Sequence, residues 1–240
     1  MNSFAKNLLG VALAGISVAA VAEDWTTSAN VAITSDYMFR GISQTDDMPA
    51  IQGGFDVNHS SGFYVGTWAS NVNFYSGESA EFDLYAGYSG SLANGLGYDL
   101  AAIGYFYPGA NDAGAEHDYQ EYKVGLSYAF KDAMMSPELG ATLYYSPEFF
   151  GEIGSATYYD LSLGLSLMEN LGMSLHWGYQ DLDKSKAGVD SYQDWKIGVN
   201  TEFAGLGFDL SYVGVNDDGE TFGTKDLTDD RFVLTMSKSF

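Results

Sequence analysis

From Ser28 onward, apolar and polar residues alternate with period two, in runs of about 8 to 12 residues. The clearest run sets Tyr159, Leu161, Leu163, Leu165 and Leu167 on one face and Asp160, Ser162, Gly164 and Ser166 on the other. A slip of one residue would turn every leucine to the polar side, so the register of such a strand is well specified. No segment past Glu23 holds a comparable 3.6-residue period, which argues against amphipathic helices. The same test predicts strands over 28–40, 50–59, 63–71, 81–90, 97–107, 119–130, 137–146, 157–167, 172–180, 192–202, 207–215 and 230–240. Twelve is an even number, as a single-chain bacterial barrel with both termini on the periplasmic side requires.

The connections sharpen this into an all-β fold, a twelve-stranded antiparallel transmembrane barrel. Short turns at 59–62, 131–136, 168–172 and 202–207 alternate with longer polar loops at 41–49, 108–118, 181–191 and 216–229. Short periplasmic turns and long extracellular loops are the asymmetry of an outer-membrane barrel. Aromatic residues should gather on the apolar face at the two interfaces, where their rings sit among headgroups. Phe63, Tyr88, Tyr98, Phe130, Phe208 and Phe240 fall at strand ends by short turns or the terminus. Tyr37, Phe106, Tyr122, Tyr145, Tyr159, Tyr179 and Trp195 fall at the loop ends, with Leu84, Val124, Leu163 and Leu210 between.

The N-terminus breaks the pattern. Lys6 precedes an apolar run from Leu8 to Val21, which contains two glycines and ends with small residues at Ala20 and Ala22. The run is shorter than the roughly 20 residues of a spanning helix and has the form of a secretory signal peptide cleaved after Ala22. Residues 1–22 are therefore read as a signal peptide and 23–240 as one outer-membrane domain, with no Pro- or Ser-rich linker to divide it.

Composition narrows the partners. Loss of the leader leaves 9 basic against 32 acidic groups, a formal charge of −23, which makes nucleic acid an unsuitable partner. The absence of cysteine removes disulfides and thiolate zinc sites, so stability must come from packing and backbone pairing. A mean hydropathy of −0.10 is too polar for a bundle of membrane helices, whereas a barrel wall needs only alternate residues to meet lipid.

The segment SDYMFRGISQ at 35–44, followed by PAIQGGFD at 49–56, resembles the opening of the TorF-type family of outer-membrane porins. The resemblance implies an exported barrel with a channel role; it brings no catalytic or binding residues. The chain ends RFVLTMSKSF, with Phe232, Leu234, Met236 and Phe240 on one face. This resembles the C-terminal signal read by the barrel-assembly machinery, with Phe240 as the final aromatic. Lys238 departs from that pattern, and its amine is expected to reach into headgroups.

With the apolar face given to lipid, Asp36, Arg40, Asp56, Asp83, Asp99, Lys123, Asp160, Lys196, Asp209 and Arg231 point into the lumen by parity. Only two arginines occur in the chain, and closure makes their strands, the first and the last, neighbours. Arg40 and Arg231 are therefore expected close together near the loop end, opposite acids such as Asp36. They would either form a cationic patch that sorts solutes by charge or close the seam with ion pairs. His176 beside Ser174, with Ser162 and Ser166 on the adjacent strand, is the nearest approach to a nucleophile and base; serine is common on polar barrel faces, so no catalytic residue is assigned. Acidic loops carry Asp46, Asp47, Asp181, Asp183, Asp217, Asp218, Asp229 and Asp230. The stretch NDDGE at 216–220 lacks the alternate-residue ligand spacing of a calcium loop, so no metal or cofactor is expected.

The reading is a narrow passive channel for small hydrophilic solutes in the bacterial outer membrane. Its lumenal charge would come from Arg40, Arg231, Lys123 and Lys196 against Asp36, Asp160 and the other aspartates. Its rivals are a closed barrel whose acidic loops act in adhesion, envelope stability or lipopolysaccharide contact, and a soluble periplasmic barrel with its apolar face inward.

Overall fold

Period-two alternation becomes backbone pairing around a closed ring. The computed structural model describes residues 24–74, 77–110, 116–222 and 225–240, and the expected signal peptide at 1–22 lies outside them. Among the described residues, twelve strands form the barrel: β1 (Trp25–Thr34), β4 (Ala50–His59), β5 (Phe63–Asn71), β6 (Ala80–Ser91), β7 (Gly97–Phe106), β8 (Tyr119–Ala129), β9 (Glu138–Ser146), β10 (Ala156–Met168), β11 (Leu171–Leu182), β12 (Tyr192–Phe203), β13 (Leu206–Val215) and β14 (Arg231–Ser239). Each pairs antiparallel with its chain neighbour, and β14 returns to β1 with Asn30 opposite Ser239 and Thr34 opposite Thr235. Phe240 prolongs the seam, its N–H donating to the Ala29 carbonyl at 2.8 Å and its own carbonyl accepting from the Ala29 N–H at 3.2 Å. Closure leaves the wall without a sheet edge, the condition for placing strands in hydrocarbon, where unpaired backbone groups are costly.

Most strand bounds lie within three residues of the sequence reading, but one departs further. The strand expected over 28–40 ends at Thr34, and a separate hairpin follows, β2 (Met38–Phe39) paired with β3 (Ile42–Ser43). Longer connections lie at the end of the barrel that holds this hairpin, over 35–49, 72–79, 107–118, 147–155, 183–191 and 216–230. They include short helices α1 (Lys184–Ala187), α2 (Asp217–Phe222) and α3 (Lys225–Thr228). Shorter connections at 60–62, 92–96, 169–170 and 204–205 lie at the opposite end, together with 130–137.

The pleat sorts side chains as the alternation requires. Leu161 is 50% exposed, and Ile51, Leu84, Leu210 and Leu234 are likewise exposed on the outer wall, whereas the largest fully buried side chains are Gln180, Glu81 and Glu121. The interior is therefore polar and the exterior apolar, the reverse of a soluble barrel. So large an exposed apolar surface is matched to acyl chains. Phe63, Tyr88, Phe130 and Phe240 are exposed near the turn end, and Phe106, Tyr122, Tyr145 and Tyr159 near the loop end. Tyr37, expected in that girdle, instead turns inward: it packs edge-on to Trp68 at 5.3 Å and donates to Glu81 Oε1 at 3.2 Å. Lys238 reaches back to the Gly205 carbonyl at 2.9 Å, and its amine lies 6.0 Å from the Phe240 ring centre.

Leu161 sits mid-strand on the outer wall, opposite Trp177 and Ala141 on the flanking strands. Leu161→Arg is expected to destabilise the barrel by about 2–4 kcal/mol, the cost of a cationic side chain at the bilayer midplane. Denaturant titration of the barrel refolded in lipid vesicles measures this. An unchanged midpoint would mean that the face is not in hydrocarbon.

Candidate functional site

The chain leaves the barrel wall at Thr34, and a set of short hydrogen bonds directs it into the bore. The Thr34 hydroxyl donates to the Asp36 carbonyl at 2.8 Å. The Asp36 carboxylate accepts from the Ser43 and Thr45 hydroxyls at 2.7 and 2.9 Å and from Arg231 Nη1 at 2.8 Å. Asp36 thus clasps both ends of the β2–β3 hairpin and ties them to β14. The hairpin tip is Arg40 and Gly41, with φ of 49° and 80°. Two successive residues in the left-handed region make the tight turn whose twist suits a hairpin. A Cβ on Gly41 would lie 2.4 Å from Val215 Cγ1 and 2.8 Å from Asp194 Cβ, so the tip is pressed against β12 and β13.

The tip delivers Arg40 to strands on the far side of the lumen. Its Nη2 donates to both oxygens of Glu121 on β8, at 2.9 and 2.7 Å, and its Nη1 donates to Gln180 Oε1 on β11 at 2.8 Å. The guanidinium lies over aromatic rings, with centroid distances of 4.1 Å to Tyr158, 4.6 Å to Phe39, 5.4 Å to Tyr144 and 5.8 Å to Phe149. Arginine suits this position because its flat, weakly hydrated cation can bond a carboxylate edge-on while stacking on rings. Tyr105 stacks on Tyr119 at 4.4 Å and donates its hydroxyl to Glu121 Oε2 at 3.1 Å, fixing the acceptor. Hairpin, rings and ion pair pack together in the loop-side end of the bore.

Beyond the hairpin tip, the lumen is lined by polar pairs and by tyrosines set against glycine. Lys123 meets Asp99 at 2.6 Å, and Tyr64 donates to the same carboxylate at 2.7 Å. Tyr85 donates to Asp56 at 2.6 Å, and Lys196 meets Asp209 at 3.2 Å. His176 is held between Asp160 at 2.9 Å and Asp194 at 2.8 Å, and Asp194 also accepts from the Tyr158 hydroxyl at 2.8 Å. With both ring nitrogens on carboxylates, His176 is not turned to Ser174. A Cβ on Gly178 would lie 2.0 Å from the Tyr158 hydroxyl, so only glycine lets Tyr158 lie flat beneath Arg40. Lining strands carry Gly54, Gly66, Gly87, Gly125, Gly172 and Gly198 at lumenal positions, alongside serines such as Ser162, Ser174 and Ser237.

The expected residues are thus in the lumen, but the pairing between them differs. Arg40 does not lie on the first strand, and it shares no bonded partner with Arg231. Arg40 takes Glu121 and Gln180, while Arg231 takes Asp36 and Asp47 at the mouth. A cleft of about 460 Å³ opens there among Asp36, Asp47, Asp226, Asp229 and Arg231. Sequence reasoning missed Glu81, Glu121, Asp194 and Gln180. Parity held the signal, since Glu81, Glu121 and Asp194 each stand two residues from the lumenal Asp83, Lys123 and Lys196. In the loops, Lys184 pairs with Asp190. The Ser185 hydroxyl and amide hold the Asp183 carboxyl below the usual carboxylate range.

Three solved structures share this barrel. The KdgM porin in complex with disordered oligogalacturonate aligns with a TM-score of 0.60 at 5% identity, covering 90% of this chain and 99% of that one. A second KdgM porin structure gives 0.58 at 8% identity over 89% and 99%, and the NanC porin 0.57 at 8% over 87% and 97%. At such identities the likeness is one of fold. No curated protein matches the sequence. The family model described as bacterial protein of unknown function, Gcw_chp, matches residues 18–240, and with nearly the whole length so aligned, the chain belongs to the Gcw_chp family.

Proposed function

We propose that this barrel is a narrow channel of the bacterial outer membrane through which small hydrophilic solutes diffuse down their gradients. The observation that carries the reading is a charged, serine- and glycine-lined bore enclosed by a wall whose outer face is apolar. Lys123, Lys196, Asp99 and Asp209 along the axis give a water-filled path the charged, hydrated surface it needs. Twelve-stranded likeness to porins, and the resemblance of residues 35–56 to the TorF-type family, support the same reading. The constriction is the β2–β3 hairpin with Arg40 at its tip, and no reaction enters the mechanism.

In this reading, lipid surrounds the wall, lipopolysaccharide meets the acidic loops, the barrel-assembly machinery reads Phe240, and the secreted chain begins at Glu23. The intact mass of protein extracted from outer membranes should equal that of residues 23–240. Retention of residues 1–22 would refute cleavage at that bond. Purified barrel in planar bilayers should give discrete conductance steps, and it should migrate differently on gels before and after heating. A second reading, a barrel closed to solutes and working through its acidic loops, is favoured by the depth to which the hairpin fills the bore. A folded, heat-modifiable protein that leaves bilayers silent would establish it in place of the channel.

A further inference from the structure

Two of the long connections meet at the loop end through a pair of side chains that the channel reading does not use. Glu78 stands just before β6 and His117 just before β8. The Glu78 side chain is fully buried and that of His117 is 16% exposed, and His117 Nδ1 lies 3.7 Å from Glu78 Oε1. Among the described residues, both Glu78 carboxylate oxygens and His117 Nδ1 are buried without a hydrogen-bond partner. Three atoms with lone pairs thus converge unsatisfied, where each buried polar group left so costs about 1–3 kcal/mol.

Their separation is informative. A direct N–H···O bond would bring the nitrogen and oxygen to about 2.7–3.2 Å. Two ligand atoms each about 2.1 Å from one zinc ion, set at the tetrahedral angle, stand about 3.4 Å apart. The observed gap is too wide for the first arrangement and close to the second. The imidazole is also held in place: its ring stacks on Phe150 at 4.5 Å and meets Tyr107 edge-on at 6.5 Å. The backbone on either side of it is tied down. The Glu116 carbonyl accepts from the Gly151 N–H at 2.9 Å, and the Asp118 carboxylate accepts from the Tyr107 N–H at 2.7 Å. Beside Glu78, the Ser79 carbonyl accepts from the Val72 N–H at 3.2 Å. An imidazole nitrogen facing a carboxylate suits zinc, whereas calcium and magnesium take oxygen ligands.

We propose that Glu78, through its carboxylate, and His117, through Nδ1, bind one zinc-type divalent cation that joins the 72–79 and 107–118 connections. Among the described residues no cluster of three histidine, aspartate or glutamate side chains forms around a metal position, so water fills the remaining places on the ion. The cross-link braces the frame of the β2–β3 hairpin, because the Asn73 N–H donates to the Gln44 carbonyl at 2.8 Å. The site stands apart from the bore and does not depend on conduction.

The test is calorimetric titration of the mature barrel with zinc chloride, repeated in excess calcium. One zinc per barrel, bound at micromolar concentration and undisturbed by calcium, is expected. His117→Gln should weaken binding by roughly tenfold or more, the least that loss of even a residue supporting a ligand costs. Glu78→Gln should do the same, each in protein whose heat-modifiable migration is unchanged. Should Glu78→Gln not fold, His117→Gln alone decides. No zinc uptake by the folded wild type leaves an ion pair only and overturns the proposal. Zinc binding that survives the substitutions, or that yields to calcium, overturns it too, by placing the metal on the acidic loops.

Discussion

Arg40→Ala is expected to raise single-channel conductance severalfold and to destabilise the folded barrel by about 3–5 kcal/mol, the usual cost of removing one partner of a buried ion pair. The Arg40 side chain is 6% exposed and that of Glu121 1% exposed, so the carboxylate left behind would be buried against the Tyr105 hydroxyl alone. The rings of Tyr158, Phe39, Tyr144 and Phe149 would lose their cation as well. Adding Glu121→Gln should restore part of the stability, since a neutral amide is cheaper to bury, yet leave conductance high because nothing anchors the tip. Bilayer recording and denaturant titration of both variants check this. A stability loss without any rise in conductance would show that the hairpin is not the constriction.

Gly41→Val should open the bore by a different route while keeping every charge. Valine at a φ of 80° suffers the left-handed penalty of about 1–2 kcal/mol. Its Cβ would overlap Val215 and Asp194, adding about 1–3 kcal/mol of overpacking. Together these displace the tip from β12 and β13 and withdraw Arg40 from Glu121 and Gln180. Conductance should rise as for Arg40→Ala, since both variants free the bore of the hairpin tip. If Gly41→Val conducts like the wild type at undiminished stability, the tip does not need glycine.

Much of the wall was legible because its cause is local. A strand with one wet and one lipid face must alternate, so the run from Tyr159 to Leu167 declares both its conformation and its facing. The hairpin was hidden by the same rule. After Thr34, Asp36 and Arg40 on one side and Tyr37 and Phe39 on the other continue a strand-like alternation, and only the neighbourhood of Gly41 signals a turn. What diverts the chain is the clasp of Asp36 by Ser43, Thr45 and Arg231, the last of them 195 positions away. The pairing of Arg40 was equally out of reach. Its carboxylate is 81 positions along and its amide 140, and periodicity says which side of the wall a residue faces without saying what lies across the bore. Parity did carry Glu81, Glu121 and Asp194. With 32 acids in the chain, parity alone does not single these three out, and their roles follow only from the pairs the fold brings together.

The hairpin occupies only one end of the barrel, which has an electrical consequence. A conduit obstructed at one mouth by a charged plug, and not at the other, accumulates mobile ions under one polarity and depletes them under the opposite one. The open channel should therefore behave as a rectifier, with unequal currents at equal and opposite voltages, and straightening of that curve in Arg40→Ala would report loss of the obstruction.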